Sequence, residues 1–319
     1  MSRILRVGFI GLLLLILIKT LYHPRPQLLS DTPRLVVKTE TVAHIPPHEH
    51  QHGDSLLLKS HHHHISSGIV RPTTNLLISR AEFVLHNADA TTLHHAVLAH
   101  QEERFFNCPE RPAPLFVIGE DQMHHPFLNL PPGYAQLIPA GSPLFLQTMV
   151  HNPLPPIGHG RDYYNVFAEI KLFSPPGERN NLRLVEMIQL DLNDDPCSDS
   201  FVVPGNTTSF TKGDPGAIEL SPATHRFAES GKLIYLGGHI HGWEGGQNLA
   251  VYLNGELVKR FNTRKADDDP YRYDTPHGPV DIDVQAGDVL TITATYTNPT
   301  PTPVTGAMGI LVAYFAPDN

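Results

Sequence analysis

The sequence predicts an all-β chain of two tandem β-sandwiches, and three observations predict it. Apolar runs are short, at residues 114–119, 164–174, 182–192, 233–240, 247–254 and 289–297, and each is bounded by Pro, Gly, Asn or Asp. Helical periodicity of any length is absent, which leaves sheet packed on sheet as the way to bury these runs. The part of the chain able to build a core, about 245 residues, suits two domains of ordinary size. The expected division is 75–178 and 179–319, with the boundary within residues 176–181.

Taken in order, the first element is residues 1–22. Arg3 and Arg6 precede an apolar run from Val7 to Ile18, and Lys19 follows it. Such a run suits the core of a signal peptide better than a spanning helix, which needs about 17–25 residues. No small-x-small cleavage site follows at residues 20–26, so an uncleaved signal anchor with its positive end in the cytoplasm is expected ahead of a cleaved signal peptide. Either places the rest of the chain outside the cytosol, in the secretory lumen, extracellular space or periplasm, anchored by a single pass or secreted. Residues 23–74 are rich in Pro and His, with His44, His48, His50, His52 and the run His61 to His64. Their apolar content is too low for a core, so a linker is expected. The His tract would bind metal weakly, although a flexible spacer is the plainer reading.

The chain has 21 histidines, and those in the folded part are unevenly placed. His239 and His241, in Gly-Gly-His-Ile-His-Gly-Trp, lie on a predicted strand, so both rings face one side of a sheet. His94 and His95 are adjacent, and adjacent strand residues face opposite sides. For both to reach one ion the backbone must kink, as a bulge or strand end allows. His151 closes the run Leu-Phe-Leu-Gln-Thr-Met-Val before Asn152-Pro153, and Met308 lies in Gly-Ala-Met-Gly-Ile-Leu-Val. Singly, each has a plain structural explanation, and a methionine in a β run usually fills core.

Their order along the chain, His-His, then Leu-Gln-x-x-Val-His-Asn-Pro, then His-x-His-Gly, then Gly-x-Met, resembles the copper type II, ascorbate-dependent monooxygenases, the family of peptidylglycine alpha-hydroxylating and dopamine beta-monooxygenases. The resemblance runs from about Asn75 to Pro317. It includes Leu130-Pro-Pro-Gly-Tyr-Ala before His151, Phe201-Val-Val-Pro-Gly, and the strand from Gly287 to Asn298 before the methionine. It implies two jelly-roll-like sandwiches with a copper site on each. One copper would be held by His94, His95 and His151, and the catalytic one by His239, His241 and Met308. Imidazoles suit copper in both oxidation states, and a thioether favours Cu(I). In the family the two sites face each other across a cleft. The implied reaction inserts one atom of O2 into an activated C–H bond of a small molecule or peptide, with ascorbate or another one-electron donor as reductant. Carboxylate or carbonyl partners for the ring nitrogens are expected, with Asn152 and Glu244 as candidates.

Departures from the pattern bear on substrate. Where the peptide-amidating branch grips a carboxylate with Arg, Asn and Tyr, this chain has Gly237, Ile310 and Val312, none with a charge or side-chain donor. Turnover of glycine-extended peptides is therefore not expected. Ala96 stands where the family has Met, and Cys108 and Cys197 are the only cysteines. They could remain two buried thiols or form one disulfide, nominally worth about 4 kcal/mol by loop entropy, and export favours the bridge. Asn206-Thr-Thr is a glycosylation sequon.

Two other functions fit the residues: a non-catalytic copper-binding protein of the same fold, and a zinc enzyme at the three-histidine set with an open fourth position. Met308→Ile would impair oxygen chemistry but spare the zinc activity. A net charge of −9 and no Lys/Arg cluster give nucleic-acid binding no support. No P-loop or Gly-x-Ser-x-Gly elbow is present. The acidic tracts at 191–195 and 267–269 lack the glycine and distal Glu of an EF-hand and read as solvated turns.

Overall fold

A computed structural model describes residues 32–48, 63–105, 108–122, 127–155, 158–176, 181–193, 197 and 200–318. The expected signal segment lies outside them, as do His50, His52, His61 and His62. In chain order the strands are β1 (Leu35–Lys38), β2 (Val42–Ile45), β3 (His63–Ser66), β4 (Leu76–Ile78), β5 (Arg80–His86), β6 (Leu93–Phe105), β7 (Cys108–Gly119) and β8 (Leu128–Asn129). They continue with β9 (Tyr134–Ile138), β10 (Leu144–Val150), β11 (Tyr163–Phe173), β12 (Arg183–Asp191), β13 (Phe201–Val203), β14 (Thr207–Lys212), β15 (Thr224–Arg226) and β16 (Gly231–Ile240). The last are β17 (Gly246–Leu253), β18 (Glu256–Asn262), β19 (Arg264–Lys265), β20 (Tyr273–Asp274), β21 (His277–Val284), β22 (Val289–Asn298), β23 (Val304–Ala307) and β24 (Gly309–Pro317). Between them the described residues hold only single 3-10 turns, so the all-β expectation holds. No helix among them is long and apolar enough to cross a membrane.

Three sheets matter for the site. A four-stranded sheet runs β3-β10-β6-β7, a six-stranded sheet β21-β16-β24-β12-β9-β4, and a five-stranded sheet holds β14, β22, β17 and β18 with β15 beside β22. The six-stranded sheet is buried on both faces. Along β24, Val312, Tyr314 and Ala316 pack into one core with Phe83, Phe116 and Leu146, while Leu311, Ala313 and Phe315 pack into a second with Leu249, Phe261 and Ile292. Side chains alternate faces with a period of two, so a strand covered on both sides reads as a continuous apolar run, as residues 310–316 do. The expected boundary near residue 178 falls between β11 and β12, yet β12 pairs in parallel with β9, Leu184 opposite Ala135. One sheet thus draws strands from both sides of that boundary.

The linker expected at residues 23–74 is corrected. β1 and β2 pair with β11, and β3 pairs with β10. Val37, Ile45 and Ile65 are 0–4% exposed and sit in the first core. Each strand is only four residues long and supplies one or two side chains to that core, too short a stretch for a clear periodic signal, while its backbone hydrogen bonds are met by an existing sheet edge. Cys108 and Cys197 form a disulfide across 89 residues. Such a bond belongs to a chain maturing in an oxidising, non-cytosolic compartment.

Candidate metal centre

Strand ends deliver the histidines. In the β6/β10 ladder, Met149 opposes His95 and Val150 opposes Leu93, so His94 is the extra residue of a bulge at the start of β6. The kink required for two adjacent histidines to turn toward one point is therefore present. Their Nδ1 atoms are 2.8 Å apart. His151 follows β10 directly and donates its backbone N–H to Thr92, beside the bulge. The His151 and His94 ring centroids are 5.5 Å apart. Asn152 serves the backbone rather than the ring, since its amide donates to Ile45 and Arg161 carbonyls.

His239 and His241 end β16, their ring centroids 5.0 Å apart. Both rings are fixed by buried carboxylates. His239 Nδ1 donates to Asp121 Oδ1 at 2.6 Å, and Asp121 Oδ2 accepts from the Ile240 backbone. His241 Nδ1 donates to Glu244 Oε2 at 2.8 Å. A 3-10 turn at Gly242–Glu244 folds Glu244 back, and Gly245 closes it at φ 90° where a Cβ would meet the Thr297 carbonyl at 2.0 Å. With Nδ1 committed to a carboxylate, Nε2 is the nitrogen each ring presents to a metal, as in carboxylate–histidine–metal arrangements.

Met308 precedes β24. The register sets His239 opposite Ile310 and Ile240 opposite Gly309, where the ladder ends, so His241 and Met308 are the residues that flank that end. The buried Tyr296 hydroxyl joins the two: it accepts from the His241 and Met308 backbone N–H groups and donates to the Met308 carbonyl. Burial foremost, with the Glu244 carboxylate adding to it, pushes this phenol well above its ordinary pKa, so it stays a donor.

The two sets are not separated by a cleft, which corrects that expectation. The His94 and His241 ring centroids are 4.9 Å apart. The six-stranded sheet fixes this approach by tying β16 and β24 to β9 through β12. Two imidazoles bound to one ion through bonds of about 2.0 Å would place centroids about 4.5–5.2 Å apart and nitrogens about 2.8–3.3 Å apart. The pairs within each set fall in or near those ranges, and so does His94 with His241 across the two sets. Among the described residues, no group of three or more His, Cys, Asp or Glu side chains is placed to hold a metal ion.

Beside the histidines lies a cavity of about 610 Å³ between the outer face of the four-stranded sheet and the ends of β12, β16 and β24. At one end it reaches His95, Gly119 and His239, and further along β7 it reaches Arg111. Its walls include Val97, Val117, Phe145 and Ile310. Arg111 donates to the Cys197 carbonyl, so the disulfide braces that end. An apolar cavity with a few convergent polar groups is the usual form of a small-molecule site.

Sequence reasoning missed Asp121, Gly119, Tyr296 and Arg111. Asp121 is 118 residues from His239 and carries no local signal. A Cβ on Gly119 would stand 2.1 Å from His239 Nδ1, so only glycine lets that ring seat there. Tyr296 sits in a Thr-Ala-Thr-Tyr run that reads simply as strand.

No family model matches this chain, and no curated protein matches it. Among solved structures, PNGF-II in two crystal forms aligns over 89% and 87% of this chain, at 12% and 11% identity with a TM-score of 0.38 for both. The chain spans 65% of the length of PNGF-II. The major capsid protein P2 of bacteriophage PM2 aligns over 89% of this chain and 98% of its own, at 8% identity and a TM-score of 0.28.

Proposed function

We propose that the protein is a copper-dependent monooxygenase that hydroxylates an activated C–H bond of a small molecule held in the cavity. The observation that carries this reading is the meeting of two histidine pairs, from β6 and β16, at the end of an apolar cavity, with carboxylates on the Nδ1 atoms of the second pair. His94, His95 and His151 would hold one copper and His239, His241 and Met308 the other. Copper so held would supply one-electron redox chemistry and activation of dioxygen, with ascorbate or a similar donor as reductant.

The chain's own residues do the positioning. Asp121 and Glu244 hold the His239 and His241 rings in one tautomer and make their Nε2 atoms more basic. Tyr296 keeps the Met308 backbone against that of His241. Val117 and Ile310 exclude water beside His239, and Arg111 offers a cation toward the other end. Eight residue steps along β7 run from Arg111 to Gly119, roughly 25 Å of extended strand. An elongated, largely apolar substrate with a polar or anionic far end suits that shape.

The test is copper stoichiometry and EPR on the full chain with His50, His52, His61 and His62 changed to Gln, followed by ascorbate under oxygen. Two type 2 signals that ascorbate bleaches support the reading. One copper or none, or copper indifferent to ascorbate, overturns it in favour of a binding protein or another metal.

A further inference from the structure

The four-stranded sheet carries a row of metal-binding side chains, two of which, His64 and Met149, the two proposed copper sets do not use. Met149 on β10 is opposite His64 on β3 and also opposite His95 on β6, and His95 is opposite Gly119 on β7. Directly opposed residues share a sheet face, and His64, Met149, His95 and Gly119 all line the cavity. The opposite face is given to core, with Ile65, Leu146, Ala96 and Leu98 buried there. His64 and His95 are two strand spacings apart, about 10 Å, with the thioether midway. Where the row reaches Gly119, the missing Cβ admits the His239 ring. The line therefore runs His64, Met149, His95, His239 across the cavity wall.

We propose that His64 and Met149, with His95 as a shared third ligand, form a soft Cu(I) loading site that passes the ion to the His94/His95 set. One thioether and imidazoles in low coordination number suit Cu(I) and not zinc or calcium. His95 makes transfer a ligand exchange with no change of oxidation state: its Nδ1 lies 2.8 Å from His94 Nδ1, while its ring also lines the cavity. The ion would leave Met149 and His64 as it gains His94 and His151, keeping His95 throughout. His64 closes the run His61 to His64, so the row begins where the His-rich segment joins the sheet. The delivery role rests on the copper reading above; the soft site does not.

The test is an NMR titration of the full chain, labelled with 13C at its 5 methionine methyls, with silver nitrate as a redox-inert Cu(I) surrogate. Met149→Leu and Met308→Ile assign the two signals of interest. The expected result is movement of the Met149 methyl at low silver, with apparent affinity at least tenfold weaker in His64→Gln. His64 is exposed on an edge strand, so that variant keeps the fold. A Met149 signal that stays still while Met308 saturates overturns the site, as does a Met149 shift of unchanged affinity in His64→Gln. Movement of Met149 with Met308 silent supports the site and counts against the oxygenase reading, so the two fail separately.

Discussion

The two histidine sets are supported in opposite ways. His94, His95 and His151 are aimed by backbone irregularity, a bulge at the start of β6 and the end of β10. His239, near the end of β16, and His241, just after it, are aimed by charge, through Asp121 and Glu244, with Tyr296 binding the backbone behind them. Rings held by hydrogen-bonded carboxylates are fixed in tautomer and orientation, whereas His94 and His151 are held by burial, at 6% and 1% exposed.

The strongest way to break the comparison is His239→Ala, which should reduce bound copper from two ions to one and abolish turnover while the signal of the other set persists. Next come Asp121→Asn and Gly119→Ala, the second because its Cβ would stand 2.8 Å from Asp121 Oδ1 as well as against the ring. Each should weaken copper at His239 and His241 by about 10–100-fold in a chelator competition and leave the three-histidine set within twofold. If both sets weaken equally, they are one electronic unit and the contrast fails. Tyr296→Phe should cost about 1–3 kcal/mol in urea unfolding, because two buried N–H groups lose their acceptor. Asn152→Ala should have the smallest effect, about 1–2 kcal/mol of stability, with copper at His239 and His241 unchanged.

What the sequence made legible follows from the range of its signals. Residues 233–240 and 289–297 read as strands because an apolar run bounded by turn residues is local information, and both lie within β16 and β22. The pairing of Cys108 with Cys197 was one of two readings, decided by export and borne out by the disulfide. The kink at His94-His95 was legible because a period of two forbids both rings on one face without it. Glu244 was legible at three residues' distance from His241, but Asp121 was not, since nothing local ties it to His239. β1 to β3 escaped because each is only four residues long and pairs with a distant strand, so no local run marks it. A chain truncated at Ile65 would lose β1 and β2, and with them Val37 and Ile45 from the core.

The shared six-stranded sheet sets how this protein can come apart. Expressed without residues 1–178, the C-terminal part would present Ile234, Tyr235, Val312 and Tyr314 to water as a sticky apolar plate. It would also leave His239 without Asp121. Limited proteolysis should accordingly yield nicked chains that stay together and melt in one transition, with no stable fragment that retains copper.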